Sequence, residues 1–379
     1  MKPCASTDIL LLLSCASTEN SFNNLIQKKS KIKLKDIAER AGVSVGTVDR
    51  VIHGRGEVNK TTRDNVLRII EELGYRPNLL ARSLALKKTY RIIALLPLGK
   101  SAANPYWELP RAGIVKAANE LHDYNIEVSL EYFSADDKKS FIKQSGQILL
   151  DKPDGIIFSP VFNDAALSFS NDCNKEGIPF ILIDSNLEEA NAIAYFGQNT
   201  IKSGYLSAKL MTYGLKDDAT ILTVNLTNSQ SVTSHLRMRK KGFLDYINEN
   251  KKAIKVIGVD IDMGEHNEPE KSLGKVFVEN PQIEGVFVTN SRVHKVAEYL
   301  CTHENSNKLL LGYDLVEKNI EFLKKGEIDF LISQKPEEQG YKSVMALSNF
   351  VLTKQAIPRV NYSQIDIITK ENIEFYNNI

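Results

Sequence analysis

The chain's first helical rhythm starts at Leu34. Leu34, Ile37, Ala38 and Ala41 fall at i, i+3, i+4 and i+7 on one face of a short helix that Gly42 ends. Ser44 then offers an N-cap to a second helix, Val45 to Ile52, whose Val48, Val51 and Ile52 repeat the spacing. After the loop His53-Gly54-Arg55-Gly56-Glu57, Asn59 caps a predicted third helix with Val66, Ile69, Ile70 and Leu73 inward and Gly74 at its end. Two helices joined through a glycine in a short turn, with a third packed across them, predict a helix-turn-helix whose second helix suits a major groove.

From Arg91 the rhythm changes. Apolar runs such as Ile92 to Leu96, Glu127 to Tyr132, Gly155 to Phe158 and Phe180 to Ile183 alternate with amphipathic stretches such as Gly113 to Leu121 and Ser140 to Leu150. Further runs follow at Ile201 to Thr212, Thr220 to Val224, Arg239 to Asn250, Ile254 to Asp260, Gly285 to Val288, Leu309 to Tyr313 and Phe330 to Ile332. Alternating strand and helix predicts a doubly wound parallel α/β body. Roughly ten strands make two lobes, and open α/β sheets bind ligands at their strand carboxyl ends. No GxGxxG or GxxxxGK[ST] follows a strand, so no nucleotide cofactor is expected.

Charge divides the chain the same way. Residues 31–91 hold 14 Lys/Arg against 7 Asp/Glu, a balance of +7, inside a chain whose net charge is only +1. Residues 1–30 add +1, which leaves the remaining 288 residues near −7. A basic module in front of an acidic body suggests a polyanion-binding head. A hydrophobic share of 42% with 25% charged residues excludes wholesale disorder. Cys4, Cys15, Cys173 and Cys301 form no CxxC pair, so neither a metal site nor a redox motif is expected, and a reducing cytoplasm is. The run Ile9 to Leu13 is too short to span a bilayer; residues 1–30 are expected to be a poorly ordered extension, although Leu12-Leu13-Ser14-Cys15 is similar to a lipoprotein processing site.

The second helix starts with Ser44, Val45, Gly46 and Thr47, small residues that let free N–H groups and hydroxyls approach phosphate. Arg50 lies one and a half turns on and suits a bidentate pair with guanine. In the body, the residues just after strands carry the chemistry. Asn104, Tyr106 and Trp107 follow the first strand; Asp184, Asn290 and Asp314 follow later ones, and Arg239 opens a helix. Aromatic faces with carboxylates and an arginine hold a sugar by stacking its CH face and satisfying its hydroxyls. Asp184 and Asp314 equally suit helix N-caps, Asn290 a turn, and Trp107 plain core.

Leu34 to Ile52, with its Lys35-Asp36-Ile37-Ala38-Glu39-Arg40-Ala41-Gly42-Val43-Ser44 segment, and Gly74-Tyr75-Arg76-Pro77-Asn78-Leu79-Leu80-Ala81-Arg82-Ser83-Leu84 resemble the headpiece and hinge of the LacI/GalR family of bacterial transcription regulators. The resemblance implies that Val45 and Gly46 occupy the two main base-reading positions, Gly46 without a side chain to bring to a base edge, with Arg50 the motif's arginine, while Ser44, Thr47, His53, Asn59 and Thr62 contact phosphates. It also implies a hinge helix that folds on DNA, with Arg82 as a contact and Leu84 wedged between base pairs; by itself Leu84 also suits ordinary packing. For the body it implies a ribose-type, periplasmic-binding-protein-like domain. There Arg239 clamps the effector, Asn290 and Asp314 form a polar pair, Asn104, Tyr106 and Trp107 stack on a ring, and Gln334 serves at a crossover. Asp49, Ser291 and Gln198-Asn199 depart from the family's usual neutral residue, Asn-Asp and Asp-Asn.

The expected organisation is an extension (1–30), a helix-turn-helix headpiece (31–77), a hinge (78–90) and a two-lobed effector and dimerisation domain (91–379). The function expected is a cytoplasmic, dimeric, sequence-specific regulator that binds double-stranded operator DNA under control of a small sugar-like effector, without cofactor, metal, membrane or catalysis. The competing expectation is an exported sugar-binding lipoprotein. The six histidines sit in no catalytic motif.

Overall fold

The computed structural model describes residues 32–53, 56–73, 88–98, 105–227, 234–251, 253–263, 269–303 and 307–376. The chain divides between Asn78 and Leu79 into two compact units. The expected N-terminal extension and the segment from Gly74 to Lys87, with Arg82 and Leu84, lie outside the described residues, as does Asn104.

The first unit holds α1 (Leu34–Ala41), α2 (Val45–His53) and α3 (Lys60–Leu73). The Asp36 carboxylate accepts the Lys33 N–H at 2.7 Å, closing the first turn of α1. Gly42 ends it at φ 66°, and the Val43 N–H returns to the Ala38 carbonyl at 3.0 Å. Ser44 Oγ accepts the Thr47 N–H at 3.1 Å and Asn59 Oδ1 the Thr61 N–H at 2.9 Å, so both residues cap the helices that follow them. Ile37, Ala38, Val48, Val51, Val66 and Ile69 form the core. Each large member contributes about 1.5–3 kcal/mol by burial.

The second unit is two lobes, each a six-stranded sheet. The first lobe's sheet runs in the order β11-β5-β4-β3-β1-β2, from β1 (Tyr90–Pro97), β2 (Ile126–Phe133), β3 (Gly155–Phe158), β4 (Phe180–Asp184), β5 (Ala194–Gln198) and β11 (Val360–Ser363). The second runs β12-β10-β9-β8-β6-β7, from β6 (Thr220–Thr227), β7 (Lys255–Asp262), β8 (Ile283–Val288), β9 (Leu309–Tyr313), β10 (Phe330–Ser333) and β12 (Asp366–Ile368). Every pairing is parallel except β10 with β12. The central strands are buried along their whole length because helices cover both faces, which is why their sequences read as unbroken apolar runs.

In chain order the body's helices are α4 (Glu108–Leu121), α5 (Lys138–Asp151), α6 (Asn163–Glu176), α7 (Thr200–Gly214), α8 (Ser234–Asn250), α9 (Pro269–Glu279), α10 (Val293–Thr302), α11 (Glu317–Lys325) and α12 (Pro336–Thr353). The chain crosses between lobes three times: at Asn199, at Gln334–Lys335 and at Gln364–Ile365. Each of the first two crossings feeds a helix into the lobe it enters, and glycines hold that helix close. A Cβ on Gly204 of α7 would lie 1.9 Å from the Arg239 carbonyl oxygen of α8, and one on Gly242 2.0 Å from the Ile201 oxygen. The first lobe repeats the device, with Gly113 of α4 against Glu337 of α12 at 1.9 Å and Gly340 against Pro110 at 2.2 Å. Such contacts tolerate no side chain.

The structure corrects several expectations. Twelve strands occur among the described residues instead of roughly ten; β11 and β12, short strands at the sheet edges, and β5, an internal strand of five residues, were not anticipated. Helices start earlier than their apolar spacing suggested: α4 at Glu108, α5 at Lys138 and α8 at Ser234.

Candidate functional site

In the first unit, the start of α2 presents Ser44, Val45 and Gly46 to solvent, with Arg50 exposed farther along and Val45 43% exposed despite being apolar. Ser44 and Thr47 share a hydroxyl–hydroxyl contact of 2.9 Å. Asn59 is exposed and Thr62 half-buried, both at the start of α3; the side chain of His53 lies outside the described residues. Asp49 is half-buried on α2. An exposed helix N-terminus with hydroxyls and an arginine can bind phosphate and read base edges.

In the second unit, a cavity of about 90 Å³ opens between the strand ends of the two lobes. Six of the expected residues line it: Tyr106, Trp107, Asp184, Arg239, Asp314 and Gln334. The two aspartates are counterparts, each just at the end of its lobe's fourth strand, and each has a left-handed backbone, φ 67° at Asp184 and φ 70° at Asp314. Neither caps a helix; the residues that precede the following helical turns are Leu187 and Val316. A non-glycine residue in that region costs about 1 kcal/mol or more, which the surroundings must offset. At Asp314 the buried Asn319 does so: its Nδ2 donates to the carbonyls of Ser291, Tyr313 and Asp314 at 2.9–3.0 Å.

The first lobe fixes Asp184 through side chains. The Tyr106 hydroxyl donates to Oδ1 at 2.6 Å and the Ser185 hydroxyl to Oδ2 at 3.1 Å. Burial, with the Asp184 carboxylate beside it, holds the Tyr106 phenol protonated well above its ordinary range. Ser185 Oγ also meets His235 Nδ1 of α8 at 2.6 Å, a contact between lobes. With the serine proton on Asp184, His235 is the donor there. Burial pushes its pKa down to about 4, so the ring is neutral.

The second lobe builds a tighter group. Arg239 is 1% exposed, stacked over the Tyr313 ring with 4.0 Å from guanidinium carbon to ring centre. Its Nη1 donates to the Thr289 carbonyl at 2.8 Å and its Nη2 to Gln334 Oε1, while its buried Nε has no partner. Gln334 Nε2 in turn donates to both oxygens of Asp314, at 2.9 and 3.0 Å. Burial lifts the Asp314 carboxyl to about 7, against the opposing pull of Arg239 and the Gln334 bonds; the Asp184 charge adds to the rise.

Trp107 is both core and cavity wall, edge-on to Tyr106 at 5.1 Å. Asn290 stays off the wall. Its Nδ2 donates to the Leu226 carbonyl at 2.6 Å and its Oδ1 accepts the Arg292 N–H at 3.1 Å, so it shapes the loop after β8. The structure adds Asp136, Thr227, His235 and Arg292 to the polar lining. Thr227 closes β6, and Asp136 and Arg292 follow β2 and β8, so the strand-end rule reaches them once those strands are placed. His235 was hidden because α8 begins five residues before Arg239.

Residues 97–355 match the periplasmic binding protein domain, and residues 33–78 match the bacterial regulatory proteins of the lacI family. Catabolite control protein A of Streptococcus mutans is 31% identical over 193 residues, covering 48% of this chain and 56% of that protein's length. The ribose operon repressor of Halalkalibacterium halodurans is 27% identical over 261 residues, covering 69% and 72%. A crystal structure assigned to a LacI transcriptional regulator from Bacteroides fragilis is similar at a TM-score of 0.70 and 31% identity, covering 76% of this chain and 100% of that one. With a headpiece that matches one pattern and a body that matches the other, the chain belongs to the lacI family of bacterial regulatory proteins, its larger unit being a periplasmic binding protein domain.

Proposed function

We propose that this protein is a sequence-specific DNA-binding transcription regulator whose operator affinity is set by one small, uncharged, sugar-like effector. The observation that carries the reading is the presence in one chain of a helix-turn-helix with an exposed α2 N-terminus and a polar cavity between two lobes. The headpiece weighs for a regulator over an exported binding protein, since a lipoprotein would have no use for it. Val45 and Arg50 read bases, Gly46 leaves its base-reading position without a side chain, and Ser44, Thr47, Asn59 and Thr62 meet phosphates. Arg82 and Leu84 extend the contact through the hinge. Reading two half-sites needs two copies, so the working form is a homodimer. It acts in the cytoplasm, and no described helix is long and apolar enough to cross a membrane. Its activity needs no cofactor, and no catalytic step is assigned.

Size and charge narrow the effector. A cavity of about 90 Å³ walled by both lobes suits a small molecule. Asp136, Asp184 and the half-ionised Asp314 offset Arg239 and Arg292 on its wall, so no excess of positive charge favours an anionic or phosphorylated ligand. Lone pairs left on Asp184 and Asp314 serve hydroxyl groups. The test is a thermal-shift screen of the full chain against free pentoses and hexoses and their phosphate esters, followed by an operator shift assay with each hit. A neutral monosaccharide should raise the melting temperature and alter operator binding. Stabilisation by phosphate esters alone refutes the reading.

A further inference from the structure

The three crossovers are the pivots of any motion between the lobes, and one side chain touches all of them. Gln198 ends β5, next to the first crossover, and is 2% exposed. Its Nε2 donates to the Ser333 carbonyl at 3.0 Å, at the entrance of the second crossover, and to the Gln364 carbonyl at 3.3 Å, inside the third. A primary amide has two N–H groups for two carbonyls, whereas a carboxylate would only accept. The opposite amide orientation would set oxygen against both carbonyls, so the surroundings dictate this one.

The same residue is wired to both halves of the cavity. The Tyr195 hydroxyl donates to the Asp184 carbonyl at 3.0 Å and leans on the Gln198 carbonyl at 3.4 Å. It folds back so closely that a Cβ on Gly197 would lie 1.9 Å from its oxygen, which is why glycine stands there. On the other side, the second crossover begins with Gln334, which holds Asp314 and Arg239. Gln339 Nε2 pins the Gln334 carbonyl at 2.8 Å. Movement of Gln198 therefore shifts Asp184 through one chain of contacts and Asp314 through another.

We propose that Gln198 is a positioning residue for the effector response, a clamp whose one amide keeps the three crossovers in register and so sets how the two aspartates face each other. The use of that clamp rests on the regulator reading above; its existence does not, and the following experiment needs no effector. Hydrogen exchange is followed on the full chain as wild type, Q198M and Q198E. Methionine keeps the length without a donor, so peptides covering 333–336 and 363–366 should lose protection by about tenfold or more while β1, β3, β8 and β9 stay protected. Glutamate regains one O–H donor when protonated, so protection in Q198E should recover on acidification, and that of Q198M should not. If Q198M fails to fold, Q198N decides: one methylene shorter, its amide reaches at most one carbonyl, and protection should fall unequally at the two crossovers. Unchanged crossover protection in Q198M, loss spread evenly over both sheets, no acid recovery in Q198E, or equal loss at the two crossovers in Q198N would each overturn the proposal.

Discussion

Asp314 should make the stability of this protein fall as the pH rises through neutrality, the reverse of the usual carboxylate. Its carboxyl is buried, and its pKa is raised from 3.8 to about 7. A group whose folded pKa lies above its unfolded one stabilises the fold fully below the unfolded value and loses that contribution as the pH climbs to the folded value. A shift of about three units at about 1.4 kcal/mol each makes the loss about 4 kcal/mol between pH 4 and pH 7. Asp314→Asn has no proton to lose. It turns one of the two Gln334 bonds into a donor facing a donor, a cost of about 1–3 kcal/mol that does not vary with pH. Wild type has already lost about 1.6 kcal/mol by pH 5 and about 4 kcal/mol by pH 8, so Asp314→Asn should be close to wild type in stability at pH 5 and the more stable form by about 1–3 kcal/mol at pH 8. His235 acts in the opposite sense, since its folded pKa of about 4 lies below its ordinary value and its contribution is lost as the pH falls below 6.5. It acts in both proteins, so the difference between their urea midpoints isolates Asp314. A gap constant from pH 5 to pH 8 would refute the reasoning. If hydroxyl groups of the effector donate to the ionised carboxylate, effector affinity should rise over the same range with release of a proton.

The residues that were legible in the sequence share a physical cause. Ile37, Val48 and Val66 mark the head because a three-helix core small enough to be built from a few side chains must repeat them at helical spacing. Asp184, Arg239 and Asp314 were found through strand ends and a helix start, which an open α/β sheet turns into a ligand site whatever the ligand, while Gln334 came only from the family resemblance. The unread part is cooperative. Nothing local in Asn290 tells a loop-shaping amide from a ligand-binding one; the Leu226 carbonyl that claims it is 64 residues away. The role of Gln198 depends on carbonyls 135 and 166 residues distant. Such pairings exist only once both sheets are assembled, so no periodicity announces them.

Three further outcomes are expected. Gly204→Ala would set its Cβ 1.9 Å from the Arg239 carbonyl and should destabilise the body by about 1–3 kcal/mol or more in thermal unfolding. Gly146→Ala, on α5 with nothing within 4 Å, should stabilise it by about 0.5–1 kcal/mol; equal effects at the two glycines would refute the close-approach argument. In a shift assay, Arg50→Ala should cost about 1–3 kcal/mol of operator affinity and relax base preference, with steep salt dependence kept; unchanged specificity would remove Arg50 from base reading. Arg239→Met takes the cationic donor from the cavity and leaves the Thr289 carbonyl and Gln334 Oε1 without it. Effector binding by calorimetry should be lost while the headpiece still binds DNA. In wild type, linkage requires operator DNA to change effector affinity by the same factor by which effector changes operator affinity, whatever the sign. An Arg239→Met protein that keeps full effector affinity would place the effector elsewhere. One that loses affinity yet still responds at saturating effector would keep the cavity but take Arg239 out of the coupling, because a ligand moves an equilibrium only through its different affinity for the two states.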